Sequence, residues 1–201
     1  MRPASGTRLP GAWRYRLARC AFACLALVGA VFPAMAPAVL AQPVNNGPVL
    51  ERRVKAAFLY KFLAYTDFPA SAFADPAAPV NMMVAGSDEM VADLAAITAG
   101  RTVAGRPIAV RALREGESAP AHLLFVAGSD CGRAGRVIHA NRAFLVVTEC
   151  DSGLQQGAVI NFRVIDEHVR FDVSLDAAER NNVRLSSRLL TVANRVQKGA
   201  Q

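Results

Sequence analysis

The stretch from 122 to 150 constrains the fold most, because two short apolar runs flank a segment with helical spacing. The runs, 123–126 and 144–147, are typical of strands buried on both faces, as in a parallel sheet. The segment between them, 131–141, is too long for a hairpin turn and long enough for a crossover helix. The stretch therefore predicts a parallel strand–helix–strand unit.

The cysteines of this stretch are expected to meet at one edge of the sheet. Cys131 follows the first strand and Cys150 closes the second, and neighbouring parallel strands end at the same edge. We interpret the pair as a disulfide, which for a loop of this length should add about 3 kcal/mol of stability. The alternative is two free buried thiols, which geometry alone does not exclude.

Residues 1–41 are predicted to be a Sec-type signal peptide. Five arginines precede an apolar stretch at 21–36, and no acidic residue lies in this region. Val39 and Ala41 then occupy the −3 and −1 positions of a cleavage site before Gln42. The alternative is an uncleaved membrane anchor, which the prolines of the stretch disfavour. The protein is therefore expected to be periplasmic.

Removal of the signal peptide changes the composition of the chain. Subtracting its five arginines from the net charge of +7 leaves +2, so the basic pI gives no indication of nucleic-acid binding. Two cysteines remain, an even number in an exported chain. The remaining length of about 160 residues suits one domain. We predict a flexible leader at 42–49 and a single domain at 50–197.

The first half of this domain is predicted to contain a helix and a second strand–helix–strand unit. The helix begins at Pro48, carries apolar residues at intervals of four, and ends before Pro69. The unit comprises a strand at 80–85, a helix that stops near Gly100, and a strand at 107–113.

The second half of the domain closes the predicted fold. An antiparallel hairpin at one edge of the sheet is predicted from 158–165 and 169–173, and a last helix runs from Ser186 or Ser187 to Val196. The fold class is α/β: a single three-layer domain with a mostly parallel central sheet and helices on both faces.

No catalytic residue, metal site or cofactor is predicted. The glycine-rich segment 128–135 lacks the Lys-Ser/Thr of a P-loop and does not fit G-x-G-x-x-G, so we interpret it as an ordinary strand-to-helix turn. His122, His139 and His168 lack metal-ligand spacing and are interpreted as solvated side chains. An enzyme that uses Cys150 with His139 would need a free thiol, which an oxidising compartment disfavours.

A group of arginines in the second half is the charge pattern that could bind a partner. Arg184 and Arg188 continue a spacing of four from Arg180, and Arg170 lies on the predicted hairpin. Asn181 and its neighbour are expected to break a helix between them. A solvated face is the simpler interpretation. A docking surface for an acidic partner at Arg170, Arg184 and Arg188, or a site for a small anion, is the alternative.

Three segments together resemble the YfiR-like periplasmic proteins. They are VKAAFLYKFLAYTDFP at 54–69, INF at 160–162 followed by VRFDVSLDAA at 169–178, and VRLSSRLLTVA at 183–193. The resemblance covers about 50–196. It implies a non-enzymatic α/β domain that inhibits a membrane-bound diguanylate cyclase by contact with the periplasmic sensor domain of the cyclase, which lowers cyclic di-GMP and biofilm formation.

The resemblance also implies redox sensitivity through disulfides and the formation of homodimers. Members of the family can carry a cysteine pair at positions similar to Met83 and His122, which this chain lacks. The pairing of Cys131 with Cys150 therefore depends on the predicted sheet and not on the family.

The rival function is a periplasmic domain that binds a small molecule. In open parallel sheets, ligands bind at the carboxyl ends of the strands where the strand order reverses. In this chain that edge is predicted to hold Gly86, Ser87, Gly128 and Ser129.

Overall fold

The structure, a computed structural model, describes residues 47–199. The predicted signal peptide and residues 42–46 of the predicted leader lie outside the described residues. The elements are α1 (Gly47–Ala64), β1 (Thr66–Asp67), a 3-10 turn (Ala70–Ala72), β2 (Val80–Ala85), α2 (Asp88–Thr98), β3 (Thr102–Val103), β4 (Arg106–Leu113), β5 (Ala121–Val126), α3 (Cys131–Ala140), β6 (Ala143–Thr148), β7 (Ile160–Ile165), β8 (His168–Ser174), α4 (Leu175–Arg180), β9 (Arg184–Leu185), α5 (Ser187–Thr191) and β10 (Arg195–Gln197).

Eight strands form one mostly parallel sheet in the order β10-β8-β7-β6-β5-β2-β4-β3. The neighbours β4, β2, β5, β6 and β7 pair in parallel. The hairpin β7–β8 and the short pair β3–β4 are antiparallel. The α/β fold predicted from the sequence is confirmed. In this order β2 has β4 on one side and β5 on the other, so the strand order reverses between β2 and β5.

Side chains of the central strands alternate between two separate cores, as the pleat of a strand requires. In β5, Leu123 and Phe125 belong to the larger core, which also contains buried residues of α1, α2, α4 and α5. Leu124 and Val126 belong to the smaller core, which contains Ala134 of α3. Helices therefore cover both faces, and α3 covers its face alone among the described helices.

Aromatic side chains anchor α1 on the larger core. Phe58 and Phe62 lie one turn apart on the apolar face of the helix and contact Phe162 and Phe171 of the hairpin, with ring centroids 5.0 to 6.2 Å apart. Phe62, Phe162 and Phe171 are fully buried. Because burial of a phenylalanine contributes about 1.5 to 3 kcal/mol, this cluster is a large part of what holds α1 on the sheet.

The second helix has the boundaries that its capping residues predict. Ser87 is the N-cap, and its Oγ accepts a hydrogen bond from Met90 N at 3.1 Å. Gly100 follows the helix with a φ of +68°, a conformation that glycine adopts without strain.

The bounds of α1 are close to the prediction, which begins the helix at Pro48 and ends it before Pro69. The helix begins at Gly47, so residues 47–49 of the predicted leader are helical. It ends at Ala64 because Thr66 and Asp67 pair with the antiparallel strand β9, whose register places Leu185 opposite Thr66. A tertiary strand pair, and not Pro69, therefore ends the helix.

The last predicted helix is shorter than expected. It stops at Thr191, and the chain continues as β10, where Val196 pairs in parallel with Val173 of β8. Asn194 directs this change, since its backbone N–H donates to Phe171 O at 2.8 Å and its Nδ2 donates to Asp172 Oδ1 at 2.7 Å. The hairpin is consequently followed by one more strand at its edge of the sheet.

Candidate functional site

A cavity of about 350 Å³ lies between α1, β8 and α5. We call it the groove. Its lining residues are Phe58, Lys61, Phe62, Tyr65, Val169, Arg170, Phe171, Arg188, Leu189 and Val192. The floor is apolar, and Tyr65 and Val192 at its mouth are 37% and 62% exposed. Apolar side chains this exposed beside a cavity are a feature of binding surfaces.

The charges of the groove are all positive. Lys61, Arg170 and Arg188 are exposed at its margin, and within residues 47–199 none of the three forms an ion pair with a carboxylate. The groove is thus complementary to an apolar group that carries negative charge at its edge.

The structure brings together two of the three arginines predicted to bind a partner. Arg170 and Arg188 both line the groove, whereas Arg184 lies outside it on β9 with Asp67 opposite in the strand register. As the asparagines predict, α4 ends at Arg180, and Asn182 has a φ of +55°. Lys61 was missed by the sequence analysis, although its spacing of three from Phe58 places both on one face of α1.

A second region lies where the strand order reverses, at the carboxyl ends of β2, β5 and β6. We call this region the rim. Two cavities of about 330 Å³ each open there. Gly86 and Ser87 line the first, which we call the α2-side cavity, and Ser129 lines the second, the β7-side cavity, while Gly128 lines both. The four residues predicted to occupy this edge therefore surround two neighbouring cavities.

A buried ammonium group stands between these two cavities. Lys55 is 7% exposed, and its Nζ lies 2.5 Å from Glu51 Oε1 and 2.5 Å from Glu149 Oε2. The other oxygen of Glu149 accepts a hydrogen bond from Gly128 N at 2.6 Å. Glu51, Lys55 and Glu149 line both cavities, so this network separates one from the other.

The network keeps Lys55 charged. Burial alone lowers the pKa of the Lys55 ammonium, but hydrogen bonds and attraction from Glu149 and Glu51 outweigh burial and raise the pKa above its ordinary value. The sequence analysis missed this network. The spacing of four between Glu51 and Lys55 is a recognisable ion-pair signal, but the distant contact with Glu149 has no sequence signature.

A disulfide joins Cys131 and Cys150 next to the rim, with their Cα atoms 5.4 Å apart. The parallel pairing of β5 with β6 brings the start of α3 close to the end of β6. Cys131 Sγ also accepts a hydrogen bond from Ser152 N at 3.2 Å. The bond therefore ties the helix on the smaller core to the strand end that carries Glu149.

A family comparison assigns the chain to a known group of proteins. The model of the YfiR/HmsC-like family matches residues 52–194, which is more than half of the chain and extends from α1 to the segment after α5. The chain belongs to the YfiR/HmsC-like family. Comparison with curated proteins finds no match.

One histidine of this YfiR/HmsC-like chain is structural. His122 is 5% exposed; its Nδ1 accepts a hydrogen bond from Asn81 N at 2.9 Å, and its Nε2 donates to Ala72 O at 3.0 Å. The Phe73 ring stacks on it at 4.4 Å. The prediction of a solvated His122 is wrong, because the ring lies at the start of a strand buried on both faces.

Burial lowers the pKa of His122, and the nearby Arg106 charge adds to this effect, whereas the hydrogen bond to the Ala72 carbonyl opposes it.

Within residues 47–199, no three His, Cys, Asp or Glu side chains are grouped so that they could hold a metal ion. In the same part of the YfiR/HmsC-like chain, no helix combines the length and apolar character needed to cross a membrane.

Proposed function

We propose that the protein is a periplasmic regulator that inhibits a membrane-bound diguanylate cyclase by binding the periplasmic sensor domain of that enzyme. Bound to the sensor, it lowers cyclic di-GMP and therefore biofilm formation. The observation that carries this proposal is the match of the YfiR/HmsC-like family to residues 52–194, because that family supports a regulatory role in a diguanylate cyclase pathway.

Control of this kind needs a difference in affinity. The regulator holds the cyclase inactive only if it binds the inactive arrangement of the sensor domain more tightly than the active one. Residues 1–41 supply the export that this arrangement requires if they act as a Sec-type signal peptide, since the regulator and the sensor domain must occupy the same compartment.

The groove supports the proposal as the surface that meets the partner. Its apolar floor offers area for burial, and arginine is one of the residue types enriched among those that dominate binding energy. Arg170 and Arg188 would contact carboxylates on the sensor domain, together with Lys61. Arg184, exposed on β9 outside the groove, would contribute to attraction at longer range.

Deletion of the gene tests the function itself. Cyclic di-GMP should rise several-fold in the deletion strain and return to its original level when the gene is restored. Unchanged cyclic di-GMP would contradict the proposed function, whatever surface the protein uses.

Charge reversal tests the surface. The Arg170→Glu/Arg188→Glu variant should bind the purified sensor domain at least about tenfold more weakly, because two lost charged contacts of about 1 kcal/mol each exceed the roughly 1.4 kcal/mol that a tenfold change corresponds to. The matched control is Arg136→Glu/Arg142→Glu, which reverses two exposed arginines on and after α3, away from the groove. Equal loss in both variants would indicate general electrostatics, and full binding by the first would exclude the groove.

A further inference from the structure

The rim has the topology of a ligand site that the proposed function does not use. The strand order reverses between β2 and β5, and in sheets of this kind ligands bind outside the carboxyl ends of the strands at that point. The two cavities of about 330 Å³ lie there. Their size is in the range of pockets that hold small molecules.

The buried ammonium of Lys55 has unused hydrogen-bonding capacity. An ammonium group has three protons, and Glu51 and Glu149 accept two of them. Within residues 47–199, no third acceptor lies within hydrogen-bond distance of Lys55 Nζ. Because the side chain lines both cavities, the remaining proton is available to an acceptor atom of a ligand.

One carboxylate oxygen of Glu51, beside the Lys55 ammonium, accepts no hydrogen bond within residues 47–199. Glu51 Oε1 accepts a hydrogen bond from Lys55, but among the described residues Glu51 Oε2 accepts none. Glu51 also lines both cavities and is 38% exposed in its side chain. A free donor position and a free acceptor position, of opposite charge, therefore adjoin the same space.

The charges around the α2-side cavity balance. The charged side chains that line it are two cations, Arg52 and Lys55, and two anions, Glu51 and Glu149. Asp93, which pairs with Arg52 Nε at 2.7 Å, does not line the cavity. A ligand with a large net charge of either sign would meet repulsion from half of this set. A ligand that carries one charge of each sign matches both halves.

The remaining walls of the α2-side cavity are apolar. Pro48, Met90, Phe125 and Ala127 contribute them. Pro48 is exposed and Ala127 is 9% exposed, whereas Met90 and Phe125 are buried behind them. These walls suit a small hydrocarbon group attached to the charged part of a ligand.

We propose that the rim binds a small zwitterion whose carboxylate accepts a hydrogen bond from Lys55, whose ammonium donates to Glu51, and whose apolar group packs on Pro48 and Ala127. This site is separate from the groove and does not depend on the proposed function. Its chemistry corresponds to that of free α-amino acids.

Isothermal titration of the purified full chain with each of the twenty free α-amino acids tests the proposal. At least one amino acid with an apolar side chain should bind, and its N-acetyl and its carboxamide derivatives, each of which lacks one charge, should bind at least about tenfold more weakly. Absence of binding by all twenty would overturn the proposal, and so would equal binding of the derivatives.

Two variants locate the site. Glu51→Gln removes the charge that faces the ammonium group at a half-exposed position, and it should weaken binding of the same amino acid at least about tenfold. Arg170→Glu/Arg188→Glu alters only the groove and should leave this affinity unchanged. Affinity that is retained in Glu51→Gln, or lost in the groove variant, would place the ligand elsewhere and overturn the assignment. A thermal melt that matches the unsubstituted protein shows that Glu51→Gln is folded.

Discussion

Lys55 and His122 show how two buried polar side chains are accommodated by opposite means. Lys55 keeps its charge because two carboxylates lie within hydrogen-bond distance. His122 keeps a neutral ring because both nitrogens have backbone partners and no carboxylate is among them. Burying an ionisable group without such partners is costly, so each residue depends on its neighbours for its ionisation state.

Removal of Glu149 should destabilise the protein. Glu149→Ala takes one of two carboxylates from the buried Lys55 ammonium and leaves Gly128 N without its acceptor, so we expect a loss of about 2 kcal/mol in the free energy of unfolding. Urea denaturation measures this loss. The matched control is Glu117→Ala, whose pair with Arg111 is exposed, so this substitution should cost much less stability than Glu149→Ala. Equal effects of the two substitutions would contradict the importance of the buried pair.

Stability should depend on the titration of His122. The folded state has the lower pKa, so the unfolded state binds the proton more readily. The stabilisation that comes from the neutral ring is complete above about pH 6.5, the ordinary pKa of histidine, and is lost as the pH falls through the folded-state pKa.

This dependence can be isolated by substitution. The free energy of unfolding, measured in urea from pH 7.5 to pH 5, should fall less steeply in His122→Gln than in the unsubstituted protein. His168→Gln, which changes an exposed histidine of β8, should retain the original slope. The same slope in all three proteins would show that His122 does not cause the pH dependence.

At the scale of elements, α1 and the disulfide act on the same strand end from opposite faces of the sheet. Lys55 of α1 binds Glu149 from the larger core, and Cys150 joins the next position to α3 on the smaller core. The carboxyl end of β6 is therefore held by one ion pair and one covalent bond. α1 also supplies Phe58 and Lys61 to the groove, so it takes part in both candidate surfaces.

Loss of the disulfide should cost about 3 kcal/mol, since closing a loop of this length restricts the unfolded chain. The Cys131→Ser/Cys150→Ser variant should unfold at a correspondingly lower urea concentration. A reductant should shift the unsubstituted protein to the same midpoint and leave the double variant unchanged. A variant as stable as the oxidised protein would show that the bond contributes little to the stability of this fold.

At the scale of the whole molecule, stability should decrease from the centre of the sheet to its edges. All six residues of β5 are buried, and both of its neighbours pair with it in parallel. The edge strands β3 and β10 are short and largely exposed.

Hydrogen exchange followed by mass spectrometry should reveal this gradient. Amides of β5 should exchange slowest, by opening close to global unfolding, whereas those of β3 and β10 should exchange by local opening at much lower free energy. Uniform protection across the sheet would instead indicate that the edges unfold only with the centre.

Much of the architecture is encoded by local sequence patterns. The apolar runs of β5 and β6, the alternating hairpin, and the capping serine of α2 specify elements through periodicity and capping, which act over a few residues. The parallel pairing that brings Cys131 near Cys150 follows from the same patterns, because a crossover of that length favours a parallel neighbour.

The tertiary structure decided the contacts between residues that are far apart in the chain. The pairing of β10 with β8 replaced a helix that the spacing of Val196 favoured, the antiparallel pair β1–β9 ended α1, and Lys55 of α1 paired with Glu149 at the end of β6. No local pattern encodes these contacts, since each depends on which backbone and side-chain groups the folded chain leaves without partners. Periodicity therefore determined which elements form, whereas hydrogen bonding and charge pairing across the folded chain determined where they end and which polar side chains meet.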